Sequence, residues 1–372
     1  MPFPHAATCA ALALSLGSSF PPLQPSPVAG NPQNVPTPPA DPTRLTAQAL
    51  TLIHGGDLAQ AQQLLNSALN LSPNYPAANL ALGNILLSKH RYPEAMDRFE
   101  TVLAIDLRNP DARTGELSAA TQLAIESRRA GRADAAFLCL QHAREHLPDD
   151  PVLLLDLGIQ AEQVHQLPIA QDALEAALRL RPSDPQTLYA LSRVELDRQQ
   201  FPASERYLRA YLAMRPKDAS AHFGLGHLLE MEQQHLDEAK SEFQRSIELQ
   251  PVQTESYYQL GQIALDAGQP DVAAPLFEKA LSRDPHHGGA LTGAGILAYR
   301  RKDFADARRQ LTAAVASSPD FQPAHYYLGL TLARLGEKAD SERELQTATD
   351  LERKQDPHAA AAAQRTGADI SH

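Results

Sequence analysis

The chain of 372 residues has no tryptophan, only two cysteines and an aromatic content of 5%. A sheet-built core draws on Val, Ile, Tyr and Phe; the scarcity of rings beside abundant Ala and Leu favours an all-α protein whose helices pack through small contact residues. Two cysteines, Cys9 and Cys139, exclude a disulfide framework. Positive charge is in deficit, with 33 Lys and Arg against 44 Asp and Glu for a formal net charge of -11. Such a chain repels a phosphate backbone on average, so nucleic acid is not an expected partner. The N-terminal apolar run is about half the length of a membrane span, so no integral span is expected. There is no His-Glu-x-x-His, no Gly-x-Ser-x-Gly and no Gly-x4-Gly-Lys. Metalloprotease, serine-hydrolase and phosphate-loop chemistry lose their signatures, and the chain reads as no enzyme and as needing no cofactor.

The ends differ from the middle. Ala6 to Leu16 form a short apolar run followed by Gly17, Ser18 and Ser19. This resembles a secretory leader, so residues 1–19 are expected to be a signal peptide and the mature protein periplasmic or secreted. Met1 to His5 contain no Lys or Arg, which leaves a cytoplasmic protein with an Ala-rich leader as the alternative. Prolines at 21, 22, 25, 27, 32, 36, 38 and 39 make residues 20–41 an extended linker. Residues 354–372, with Asp356-Pro357 and an alanine string, are expected to be a disordered tail.

Between these ends lies a ruler. Pro148, Pro182, Pro216, Pro251, Pro285 and Pro319 are spaced by 34, 34, 35, 34 and 34 residues. With each unit begun 31 residues before its proline, one column reads Gly83, Ala124, Gly158, Ser192, Gly226, Gly261, Gly295 and Gly329. A second small column reads Ala61, Ala95, Ala136, Ala170, Ser204, Ala273, Ala307 and Ser341, with Ala239 displaced by one. Facing small columns let two helices approach closely. The large column of Leu65, Phe99, Leu140, Leu174, Leu208, Phe243, Phe277 and Leu311 is expected to fill the space between neighbouring units. Pro93, Pro168, Pro202 and Pro270 mark the first turn of each second helix, and Gly56, Gly131, Gly268 and Gly336 the end of the first.

In this order of small residue, alanine, aromatic or leucine and closing proline, the sequence resembles the tetratricopeptide repeat family over residues 42–353, about nine units. The resemblance implies a right-handed superhelical solenoid of helix-turn-helix repeats. Three departures stand out. The family's early Trp is replaced by residues such as Leu154, Leu188 and Tyr257. The third unit, Pro110 to Asp150, is seven residues too long, which is expected to lengthen its first helix and make it protrude. The sixth unit carries one extra residue around Gln234 and His235.

The resemblance further implies a concave groove lined by the fifth and ninth residues of each unit. These include Tyr189, Phe223, Tyr258 and Tyr326 in the fifth column, and Asn84, Arg193, His227 and Gln262 in the ninth. A stripe of exposed rings beside polar groups suits an extended peptide or another protein, with apolar pockets for side chains and donors for backbone carbonyls. The alternative is that the rings pack against one another along the stack. No Lys occupies the fifth column, so a clamp on a C-terminal carboxylate is not expected. The expected function is therefore a binding scaffold, in an envelope or secretion assembly, with a regulatory or substrate-recruiting subunit of an enzyme complex as the alternative. Cys139, His142 and His146 stand at i, i+3 and i+7 on one helix, a spacing that suits zinc. Cys139 adjoins the buried Leu140 and the sequence offers no fourth ligand, so no metal site is expected.

Overall fold

The computed structural model describes residues 41–231 and 235–355. The expected signal peptide, the expected linker up to residue 40 and the expected tail after residue 355 lie outside them. Among the described residues are eighteen α-helices and no strand. They alternate as first and second members of nine hairpins. The first four are α1 (Pro42–His54) with α2 (Leu58–Leu71), α3 (Pro76–Ser88) with α4 (Tyr92–Leu103), α5 (Pro110–Arg129) with α6 (Ala133–His146), and α7 (Pro151–Gln163) with α8 (Leu167–Leu180). The next three are α9 (Pro185–Asp197) with α10 (Phe201–Met214), α11 (Ala219–Met231) with α12 (Leu236–Leu249), and α13 (Thr254–Asp266) with α14 (Pro270–Arg283). The last two are α15 (Gly288–Arg300) with α16 (Phe304–Ser317), and α17 (Gln322–Leu335) with α18 (Lys338–Gln355).

Local chemistry sets the helix ends. Proline opens α1, α3, α5, α7, α9 and α14, where its missing N–H removes no helical bond. Asp57, Asp150, Asp184 and Asp303 cap α2, α7, α9 and α16, each carboxylate accepting from a backbone N–H of the first turn. The turn inside each hairpin is more uniform than the glycines foretell. Gly56, Gly131, Gly268 and Gly336 take positive φ, and so do His90, His165, Gln199 and Lys302 in the remaining hairpins whose turns are described. In each case the next residue's N–H closes back on the first helix, as in Arg91 to the Leu86 carbonyl at 3.0 Å and Gln200 to the Glu195 carbonyl at 2.7 Å. This Schellman-type closure demands a left-handed residue, and four hairpins hold a side chain there.

The small columns face each other as expected. Ser204 Oγ donates to the Ser192 carbonyl at 2.7 Å, and Ser341 Oγ to the Gly329 carbonyl at 2.8 Å, which joins the two columns by hydrogen bonds within one hairpin. The large column does more than fill the space between units. Where the small column holds glycine, the large side chain of the same hairpin presses on it, and a Cβ on Gly158 or Gly261 would lie 2.4 Å from Leu174 or 2.7 Å from Phe277. Phe99 and Phe277 also reach the next hairpin, where they meet Gly115 and Gly293. One ring thus locks two units.

Helix α5 is 20 residues long against 13 for α3 and α7. It does not protrude. Ala112, Gly115, Glu116, Ala119, Ala120, Ala124 and Ser127 are all buried, so the contact face runs along the whole helix. Seven residues turn a helix by roughly 20° less than two full turns, which keeps the added segment on the packed side. It packs on both α4 and α6.

First helices of neighbouring hairpins also touch one another: α1 with α3, α3 with α5, α5 with α7, α7 with α9, α13 with α15, and α15 with α17. Among the described residues no pair of successive second helices packs to that extent, so the first helices form the inner, closer side of the array. Helices α9, α11 and α13 do not pack on one another to the same degree. The apolar core follows suit. One continuous cluster runs from Ala49 to Val194, and smaller ones begin again at Leu208, Tyr257 and Ala298.

Candidate functional site

The inner face of the fifth to seventh hairpins carries most of the predicted groove residues. Tyr189 on α9 is half-buried and leans on Tyr211 of α10, with ring centroids 5.0 Å apart. The Tyr211 hydroxyl donates to Asp218 at 2.6 Å, and burial together with that carboxylate pushes its phenol up to about 12. Phe223 on α11 lies 5.7 Å from Phe243 and stacks on His227 one turn later at 6.2 Å. Tyr258 on α13 rests between Phe277 at 6.5 Å and His287 at 4.9 Å, over Gly289 of the next hairpin, where a Cβ would approach the ring to 2.7 Å. Burial, with Glu255, Glu230 and Asp266 around it, raises the Tyr258 phenol. The rings are therefore shared between the stack and the open face and do not stand free as a stripe.

The polar column beside them is engaged in short pairs. Arg193 reaches across from α9 to Glu162 on α7 at 2.7 Å, with the guanidinium half exposed and the carboxylate buried. Burial raises the Glu162 carboxyl more than Arg193 lowers it. His227 stands 3.6 Å from Glu230, and the Gln262 amide donates to Asp266 at 3.1 Å. Between Tyr189, Arg193, Gly224 and Leu228 lies a small cavity of about 110 Å³, where α9 and α11 fail to close on each other. Asn84 and Tyr326 are exposed on α3 and α17 and do not join this group. Thr292, at the same register position in the eighth hairpin, is buried and bonds the Gly288 carbonyl, which interrupts the ring series before Tyr326.

A second cluster gathers at the third hairpin. Cys139 turns its sulfur to Met96 Sδ at 3.9 Å and the Ala120 carbonyl at 3.7 Å. Burial, then Glu100 and Glu116, pushes its thiol up to about 11. His142 Nε2 lies 2.9 Å from Glu100 and His146 Nδ1 3.1 Å from Glu116. Glu116 is fully buried, and burial with the neighbouring Glu100 charge lifts its carboxyl to about 8. Of Cys139, His142 and His146, which the sequence placed on one helix, the structure brings the two histidines to Glu100 and Glu116, while the cysteine bonds elsewhere. Glu100 and Glu116 carried no signal in the sequence.

With nine such hairpins described, family comparison decides the assignment. Two models described as tetratricopeptide repeat match residues 52–117 and residues 189–254, 258–320 and 292–360. The chain belongs to the tetratricopeptide repeat family. No curated protein sequence matches it. Among solved structures, MamA residues 41 to end from Desulfovibrio magneticus RS-1 is 22% identical over 46% of this chain and 97% of its own, with a TM-score of 0.43. The APC/C hetero-tetramer Cut9-Hcn1 is 15% identical over 86% of this chain and 62% of its own, with a TM-score of 0.50. At these identities the likeness concerns the tetratricopeptide fold alone. No described helix is long and apolar enough to cross a membrane.

Proposed function

We propose that this tetratricopeptide array is a scaffold that holds another protein, or an extended segment of one, on the first-helix face of its fifth to seventh hairpins. The observation that carries the proposal is the composition of that face. Half-buried Tyr189, Phe223 and Tyr258 offer fixed apolar surface, while Arg193, His227 and Gln262 each pair with a neighbouring carboxylate that a ligand's backbone can replace. Tetratricopeptide arrays are typical protein-interaction scaffolds, and the family is generally non-enzymatic. The leader-like residues 1–19 support a finer form, in which the array works after export in an envelope or secretion assembly.

The test uses surface variants, because removing the half-buried rings disturbs the stack. Partners captured by the full chain are titrated against wild type, the double variant Arg193→Glu/His227→Glu, and Arg309→Glu on α16 as a control, with thermal melts verifying the fold. Loss of binding in the double variant alone supports the reading. Equal binding by all three removes this face as the site.

A further inference from the structure

The lengthened third hairpin breaks the repeat rule at one position. In the repeat register Leu123, directly before Ala124, takes the place that Leu82, Leu157 and Leu191 fill in α3, α7 and α9, so Glu116, seven residues earlier, comes with the added turns of α5. The packing of the repeat does not call for a buried carboxylate there, and such departures mark functional positions. Its side chain is fully buried. One oxygen faces His146 Nδ1 at 3.1 Å, while the other, Oε2, is buried without a hydrogen-bond partner. Glu100 from α4 and His146 from α6 converge on it, so that one ligand atom of each of the three lies within 4.8 Å of the other two. His142, one turn before His146, lies 2.9 Å from Glu100 and is half exposed, so the cluster has an opening to solvent.

We propose that Glu100, Glu116 and His146 bind one divalent transition-metal ion, Zn2+ being the best match, with His142 as a positioning residue that holds the Glu100 carboxylate. Two hard carboxylate oxygens and one borderline imidazole nitrogen form a set that Zn2+ accepts at roughly 2.0–2.2 Å, and a three-ligand set leaves a position for water. Side-chain movements of about 1 Å bring three atoms at this spacing onto one tetrahedral face. The unpartnered Glu116 oxygen then gains a ligand, and α4, α5 and α6 become joined across two hairpins. The sulfur of Cys139 faces Met96 and takes no part. The outer hydrogen bond from an imidazole to a ligating carboxylate is the usual way in which such a site is oriented.

The experiment titrates Zn2+, with Mn2+ and Mg2+ for comparison, into the chelator-treated full chain by calorimetry and follows the melting temperature. Wild type is expected to take up one Zn2+ per chain with a rise in melting temperature. Glu116→Gln, which keeps the side-chain shape, and His146→Gln lose that equivalent; His142→Ala weakens it by roughly ten- to hundredfold; Cys139→Ser leaves it unchanged. Circular dichroism establishes that each variant is folded before titration. The proposal is overturned by a wild type without a stoichiometric Zn2+ site, by retention of that site in folded Glu116→Gln and His146→Gln, or by its loss in Cys139→Ser.

Discussion

Phe277 and Gly293 meet across the boundary between the seventh and eighth hairpins, so tightly that a Cβ on the glycine would lie 2.3 Å from the ring. Phe277 is fully buried and bounded on its other side by Gly261, so the ring has nowhere to go. Gly293→Ala is expected to destabilise the array by about 1–3 kcal/mol, overriding the ~1 kcal/mol that alanine gains in a helix. Gly224, whose Cβ would meet only Leu208 at 3.6 Å beside the small cavity, is the counterpart. Gly224→Ala is expected to stabilise by roughly 0.5–1 kcal/mol. Urea midpoints of the two variants should therefore move in opposite directions.

The αL turns separate backbone strain from steric crowding. A Cβ on Gly131 meets nothing within 4 Å, yet the residue holds φ 71. Gly131→Ala is thus expected to cost about 1 kcal/mol through the backbone alone. Lys302→Gly is expected to gain up to about 1 kcal/mol at the equivalent turn. Chemical denaturation measures both, and a neutral Gly131→Ala contradicts the account.

Glu116 makes stability depend on pH in an unusual sense. Its folded carboxyl, lifted by burial and then by Glu100 from its ordinary 4.5 to about 8, holds its proton longer than the unfolded chain does. The contribution is therefore complete below pH 4.5 and is lost as pH rises through 8. Metal-free wild type should weaken across that window by on the order of a few kcal/mol relative to Glu116→Gln, whose profile lacks this slope. Unfolding curves at intervals from pH 4 to 9 test the sign.

Arg193→Ala leaves Glu162 buried with neither oxygen paired to a cation, since its Oε2 already lacks a partner. Because the guanidinium is half exposed, the expected cost is about 1–2 kcal/mol, below that of a fully buried pair. Glu162→Gln in the same chain should recover most of it, and a double-mutant cycle reports the coupling.

The repeat was readable because its residues answer to geometry. The prolines from Pro148 to Pro319 end hairpins, and Gly158 or Gly261 must be small under Leu174 or Phe277. The left-handed His90, His165, Gln199 and Lys302 were not readable, since their side chains carry no such preference and the closing hydrogen bond imposes the conformation. The aromatic positions were found but not their exposure, which depends on Phe243, Phe277 and Gly289 in other helices. At the third hairpin the i, i+3, i+7 spacing gave a helix face but not its neighbours. Glu100 and Glu116 come from helices 42 and 30 residues distant from His142 and His146 respectively.

The interruption of the apolar cluster after Val194 has a kinetic meaning. In a linear array each unit is held only by its neighbours, so cooperativity travels no further than the packing between them. Where α9, α11 and α13 loosen, the chain has a seam. Amide hydrogens from α1 to α8 should exchange as one slow block, and those beyond α11 in smaller, faster blocks that open first.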